Sequence, residues 1–447
     1  QIHAWHKPLN SLLLTQPSVT DPVPDAYIPN IQTTALNTYT NPNAHLESNA
    51  SQCNSASTPI IPAPICIEAF ACELDPGYIA TMPGHTQCWF NLEYLSAEDW
   101  VASFHAQPSR QSNGVAKYFF FPGFTTQTGG LLREADLLTR QKQFLSDQQM
   151  QVEWLQRYIS AEVAQAWQHG ARLISYFSYP HAPFEKLISA LLSSNENYVI
   201  CIPRGVVPQA EECLARLLAT HTESQRSQVL STQALNEQNA SAQPVVSTTQ
   251  ANDVELGPAG LGTLTDSTDT CSSQAPIQIH RFEFIEQYQF DYLLSISDFN
   301  VVRGEDSFVR AIWAAKPFIW HIYPQEEQVH LEKLQAWLMS YPMPDTYRQL
   351  LWEWNVYPLS SDSLKSAPQN RELSEPSDHK EEPEQSCYHE NTTPLFDGQV
   401  SEHALSAFFQ NTPLRQEWQA FALAYRDFLE KNPTLSFSLL NFQPNSS

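Results

Sequence analysis

Short apolar runs and longer amphipathic segments alternate along much of this chain. Apolar runs at residues 65–67, 89–95 and 118–121 read as strands, and the second half repeats the rhythm more regularly. There, strands are predicted at 172–179, 198–202 and 277–285, with helices at 184–193, 209–220 and 290–297 between or after them. Residues 300–325, NVVRGEDSFVRAIWAAKPFIWHIYPQ, condense the pattern into one unit. An apolar run ends at Val302, a turn falls at Arg303-Gly304, Phe308, Val309, Ile312 and Trp313 recur at helical spacing, and a second apolar run covers 318–323. Strand, turn, helix and strand in that order form a βαβ unit, which implies a parallel sheet. Residues 141–168 predict one or two helices stopped by Gly170, 330–339 predict a further helix, and 404–429 a terminal one.

Three stretches interrupt this order. Residues 32–63, 221–275 and 360–394 are rich in Ser, Thr, Asn, Gln and Pro and carry too little apolar area to offset ordering entropy, so they read as low-complexity insertions. Gly257, Gly260 and Gly262 fall inside the second insertion with no strand before them, which argues for linker rather than a dinucleotide loop. The predicted organisation is an N-terminal α/β domain over 1–170, a second over 171–400, and a C-terminal helix over 401–447 packing back on the body.

Composition narrows the function. With 48 acidic against 24 basic residues the formal charge is −24, which disfavours nucleic-acid and anionic-membrane partners. No apolar run reaches membrane-spanning length, and the 8 cysteines form no C-x-x-C pair, so the expectation is a cytoplasmic protein with reduced thiols. The sequence contains no G-x-x-x-x-G-K-S/T, no G-x-S-x-G, no H-E-x-x-H and no Asp-x-Asp. A diphosphate bound here would therefore rely on protein donors and helix dipoles in place of a metal, and no cofactor is expected.

Ligands of open parallel sheets lie beyond the carboxyl ends of the strands, which makes the turn Gly304 to Ser307 the first candidate site, with Arg303 and Arg310 close by in sequence. Glu305 and Asp306 would repel phosphate and fit hydroxyl groups better; helix capping by Asp306 or Ser307 is the plain alternative. Phe177, Tyr179, Phe284, Phe290 and Tyr323 fall near predicted strand ends, where they could stack on a nucleobase or simply fill the core, and Gln287 could meet a base edge. Gly129-Gly130 mark a place where the backbone approaches something closely. His321 and His330 have no third partner at ligand spacing and read as packed or surface histidines.

The runs IEAFACEL, NLEYLSAE, YFFFPGF with TGGLLRE, Phe284-x-x-Gln287-x-x-Phe290-Asp291, and VVRGEDSFVRAIWAAKPFIWHIYPQ together resemble the EarP family of protein-arginine rhamnosyltransferases. They occur in family order and cover most of the ordered chain. The resemblance implies a GT-B glycosyltransferase fold, two Rossmann-like domains facing a cleft, and metal-independent, inverting transfer of rhamnose from TDP-β-L-rhamnose to an arginine of elongation factor P. It implies thymine packing on Phe284 with Gln287 and Phe290, and a donor pocket lined by Phe177, Tyr179 and Tyr323. Arg303, Gly304, Glu305, Asp306 and Ser307 would hold the diphosphate, ribose and sugar, with Glu305 and Asp306 as the catalytic carboxylates of this half. The family's opening strand and loop, roughly D-N-F-G-D-I-G-V with the proposed general base, has no counterpart here, and residues 1–13 resemble its second strand region. The expectation is a chain that binds the donor and transfers it slowly, with a catalytically silent sugar-nucleotide binder as the alternative. A lipid acceptor is disfavoured because no membrane-binding helix or basic surface is evident.

Overall fold

The computed structural model describes residues 61–70, 72, 74–194, 196–241, 276–325, 329–356 and 403–444. The opening residues and the expected insertion at 360–394 lie outside these, as do most of the expected insertion at 32–63 and residues 242–275 of the second.

Two sheets organise the molecule. In the first, β1 (Ile65–Ala69), β2 (Cys88–Leu92) and β4 (Ala116–Phe120) run parallel, and β3 (Pro108–Arg110) adds an antiparallel edge, giving the order β1-β2-β4-β3. The second sheet holds β5 (Arg172–Tyr176), β6 (Tyr198–Pro203), β7 (Ile277–Phe282), β8 (Phe299–Arg303) and β9 (Phe318–His321), all parallel, in the order β7-β6-β5-β8-β9. Every residue of YVICIP in β6 is buried, as a strand covered on both faces requires. Successive strands step outward from β5 to β7, then the chain returns to the other side of β5 at β8. The β5/β8 pair is therefore the switch point of this sheet, the place where such folds leave a crevice beyond the strand ends.

Helices α1 (Pro76–Thr81) and α2 (Val101–Phe104) are short connectors. The segment predicted as one or two helices forms three: α3 (Leu137–Ser146), α4 (Gln148–Tyr158) and α5 (Ala161–Gln168). Asp147 and Ser160 divide them, each side chain accepting a backbone N–H as an N-cap. Although they precede residue 170, their apolar positions Phe144, Trp154, Leu155 and Val163 join Leu173, Val199 and Leu293 in a core of the second sheet.

In the second half, α6 (Phe184–Leu192), α8 (Gln287–Ile296) and α9 (Asp306–Ala314) connect the strands. The helix after β6, α7 (Ala210–Ser241), runs well past its predicted end and replaces the first part of the expected insertion at 221–275. Its Gln, Ala, Leu and Glu content is helix-permissive even where the apolar stripe fades. β5 ends at Tyr176 rather than 179. Helices α10 (Val329–Met339) and α11 (Asp345–Asn355) follow β9.

The terminal helix predicted over 404–429 is α12 (His403–Gln410) and α13 (Thr412–Leu429), with a further helix α14 (Leu435–Leu440). The break is local chemistry: Asn411 Oδ1 accepts the Leu414 amide and Pro413 stands in the first turn. Trp418 of α13 stacks on Tyr347 and Phe408. α14 then crosses to the first sheet, where Leu435 and Leu439 pack on Cys88, Phe90, Tyr118 and Phe120. This return explains Gly129-Gly130. Gly130 has φ +77°, a Cβ there would lie 2.0 Å from the Pro433 carbonyl oxygen, and Leu435 N donates to Leu131 O at 2.9 Å. The C-terminal segment is thus seated directly on the glycine backbone.

Candidate active site

The sequence-predicted residues converge at the carboxyl ends of β5, β7, β8 and β9. Phe177 follows β5 and donates its amide to Val301 O of β8 at 2.8 Å, so the pairing at the switch point continues one residue past the end of β5. Arg303 ends β8. Its guanidinium carbon lies 4.4 Å from the Phe177 ring centroid and 4.9 Å from that of Tyr179, a double cation–π contact. Burial lowers the pKa of Arg303, and an arginine guanidinium keeps its charge in proteins.

Gly304 turns the chain with φ +64°, a left-handed conformation that a side chain would strain, and the Tyr179 hydroxyl lies over the space a Cβ would fill. Trp320 of β9 donates its indole N–H to the Gly304 carbonyl at 2.8 Å, pinning the turn. That indole stacks on Phe308 at 3.9 Å between centroids, which couples the turn to the first buried residue of α9. The plain capping alternative is not what forms: the N-cap is Glu305, without a side-chain cap, and Asp306 begins the helix. No side chain caps the first amide groups of α9, and a helix N-terminus favours an anion. Ser307 lies in that same first turn.

An aromatic apron flanks the turn. Phe284, beyond β7, is 51% exposed and meets Phe177 edge to face at 6.2 Å; Phe290 of α8 meets Phe177 at 6.1 Å. On the opposite side Tyr323, exposed beyond β9, packs against Tyr179 at 5.5 Å. Burial raises the Tyr179 hydroxyl to about 12, so it stays protonated and can donate. Gln287, the first residue of α8, donates from Nε2 to both Asp306 oxygens at 3.0 and 3.1 Å.

Glu305 faces the other half of the molecule. Its Oε2 accepts the amide of Leu95, in the loop after β2, at 3.1 Å, and burial lifts its carboxyl above the usual range. Beside it, Lys333 of α10 lies over the Tyr94 ring at 5.3 Å. The strand ends of the two sheets therefore meet across the site, and both loops of the first half that reach it, 93–98 and 131–134, come from motifs seen in the sequence.

Arg310 departs from expectation. It is 1% exposed, bound through both terminal nitrogens to Glu134 and beside the fully buried Asp291, so it is not available to a ligand phosphate. Glu134 lies within the TGGLLRE run, but nothing local signals a partner so distant in sequence. His321 is a packed histidine: its Nδ1 lies 2.7 Å from Ser178 Oγ, its ring contacts Tyr179 and His181, and burial lowers its pKa to about 3. His330 accepts the Gln325 amide at Nδ1, which fixes the proton on Nε2. Among the described residues no group of three or more His, Cys, Asp or Glu side chains is placed to hold a metal ion. Cys66, Cys72, Cys88, Cys201 and Cys213 are free thiols, and no described helix is long and apolar enough to cross a membrane.

Two α/β sheets, parallel but for one edge strand of the first, with opposed strand ends, and between them an arginine, aromatic faces and a helix N-terminus, are the architecture of a GT-B glycosyltransferase. The family described as Elongation-Factor P (EF-P) rhamnosyltransferase EarP matches residues 28–410, and the chain belongs to that family. A protein-arginine rhamnosyltransferase of Pseudomonas putida is 36% identical over 313 residues, 69% of this chain and 70% of the relative. One from Pseudomonas aeruginosa is 36% identical over 306 residues, 67% of this chain and 68% of the relative. The structure reported as the basis for EarP-mediated arginine glycosylation of EF-P aligns at 21% identity with a TM-score of 0.41, covering 80% of this chain and 99% of that one.

Proposed function

We propose that this chain transfers rhamnose from TDP-β-L-rhamnose to a guanidine nitrogen of one arginine on elongation factor P, in the cytoplasm, with inversion at the anomeric carbon. The observation that carries the reading is Arg303, a cation fixed between Phe177 and Tyr179 at the switch point of the second sheet, in a chain of the EarP family. Thymine would pack on Phe284 with Phe290 behind it, and Gln287 would serve the base edge. The diphosphate would lie between Arg303 and the first amides of α9, a place for which positive charge comes from the protein and no metal is required. Glu305 and Asp306 would accept hydrogen bonds from ribose and sugar hydroxyls, and Tyr179 and Tyr323 would close the sugar side.

In the transfer, the bond between the anomeric carbon and the diphosphate oxygen breaks as a bond to the guanidine nitrogen forms on the opposite face. Arg303 and the helix N-terminus stabilise the charge that develops on the departing TDP. An arginine is protonated at neutral pH and nucleophilic only as its proton leaves, so a carboxylate must orient it and take the proton. The hydrogen bond of Glu305 to the Leu95 amide of the first half supports a reading in which this carboxylate would orient the incoming group.

Mass spectrometry of elongation factor P after incubation with the chain and TDP-rhamnose tests the proposal. The expected result is one deoxyhexose residue on a single arginine, unaffected by a metal chelator. Donor binding without any such addition would leave a silent sugar-nucleotide binder instead.

A further inference from the structure

Arg310 is buried where three segments meet: Glu134 in the loop after β4, Asp291 in α8 and Asp306 at the start of α9. Its Nη1 donates to Glu134 Oε2 at 2.6 Å and stands 3.3 Å from Asp291 Oδ2, while Nη2 donates to Glu134 Oε1. This two-pronged grip fixes the plane of the guanidinium. Nε–H is buried without a hydrogen-bond partner. Asp306 Oδ1 stands 3.9 Å from this Nε, within ion-pair reach but short of a hydrogen bond. Gln287 Nε2 donates to both oxygens of Asp306.

An unsatisfied donor on a buried cation is costly, and here the acceptor that would satisfy it is engaged by a residue facing the cleft. We propose that Arg310 is a positioning residue of the donor site: when a bound nucleotide draws the Gln287 amide away, Asp306 Oδ1 closes onto Arg310 Nε while Oδ2 is left for a donor hydroxyl, and Glu134 holds the guanidinium ready to receive it. Donor binding is then linked to the seating of the 131–134 loop from the other half of the molecule, because that loop supplies the grip. The inference rests on the reading that a thymidine diphosphate occupies this cleft. A purely structural ion cluster would contribute to folding alone, and buried clusters of this kind are weak evidence for any stabilising role.

A double-mutant cycle on the full chain separates the two. TDP affinity is measured by calorimetry for the unaltered chain, Arg310→Lys, Asp306→Asn and the double variant. Lysine keeps the charge and loses the fixed fork. The expected result is that R310K weakens TDP about tenfold alone but less than about twofold in the D306N background, the signature of two coupled residues. An equal loss in both backgrounds, or unchanged affinity with only a lowered melting temperature, overturns the proposal. If R310K does not fold, E134Q replaces it: weaker TDP binding that disappears in the D306N background supports the proposal, and equal weakening overturns it. Failure of the unaltered chain to bind TDP at all overturns the underlying donor reading, and the proposal with it.

Discussion

Removing the Phe284 ring should weaken nucleotide binding while leaving the fold almost untouched. The ring is 51% exposed and touches the rest of the apron edge to face through Phe177 at 6.2 Å. An aromatic side chain offers on the order of 200 Å², so about 100 Å² remains for a base to cover. At about 25 cal/mol per Å² that area is worth about 2.5 kcal/mol, within the range of about 1 to 3 kcal/mol found for base stacking. Alanine retains a little of it, so a loss of about 2 kcal/mol, roughly thirtyfold in Kd, is the expectation for Phe284→Ala. Titration calorimetry with TDP reads this directly, alongside Phe437→Ala as a control for exposed aromatic area on α14, away from the cleft. A Phe284→Ala protein that binds TDP within about twofold of the unaltered chain would refute the stacking role, because that change is below what even a partly covered ring supplies.

Other residues extend the account to stability. Gly130→Ala should destabilise the protein by about 2 kcal/mol or more, since a left-handed φ and a Cβ driven into the Pro433 carbonyl act together; an unchanged melting temperature would show that the C-terminal segment does not rest there. His321 gives a pH dependence with a definite sign. Its pKa falls from 6.5 to about 3 on folding, so its contribution is fully present above pH 6.5 and is lost as pH falls towards 3. The slope is at most about 1.4 kcal/mol per pH unit. His321→Asn should flatten denaturation midpoints between pH 6 and pH 4.5 relative to the unaltered chain. Asp291, whose carboxyl burial pushes up to about 7, works in the opposite direction over the same interval but is present in both proteins, so the difference isolates His321. Parallel midpoints in the two proteins would contradict a neutral, buried histidine.

Much of the second sheet was legible because parallel strands covered on both faces are apolar along nearly their whole length, as YVICIP and the FIW of β9 are. The strand β3, PSR, carries no such signal: it is polar, begins with proline and pairs only at an edge. The extension of α7 was hidden because residues 221–241 carry helix-forming Gln, Ala, Leu and Glu without a regular apolar stripe. At the site, strand ends and the Gly304 turn could be located from the order of elements, and the aromatic residues followed from the same positions. Arg310 could not be read correctly, because whether an arginine is buried depends on Glu134 and Asp291, one of them in the other half of the chain. The approach of Leu95 to Glu305 is equally non-local and depends on how the two sheets oppose one another.

In the proposed function Arg303, at the end of β8, holds the diphosphate of a TDP-sugar. Calorimetric titration of the chain with TDP-rhamnose, repeated with Arg303→Ala, tests it most directly. One donor per chain should bind, and the alanine variant should lose at least about 2 kcal/mol of affinity, as expected when a charge-assisted contact is removed. Equal affinity in the two proteins, or no binding of TDP-rhamnose by the unaltered chain, would contradict it.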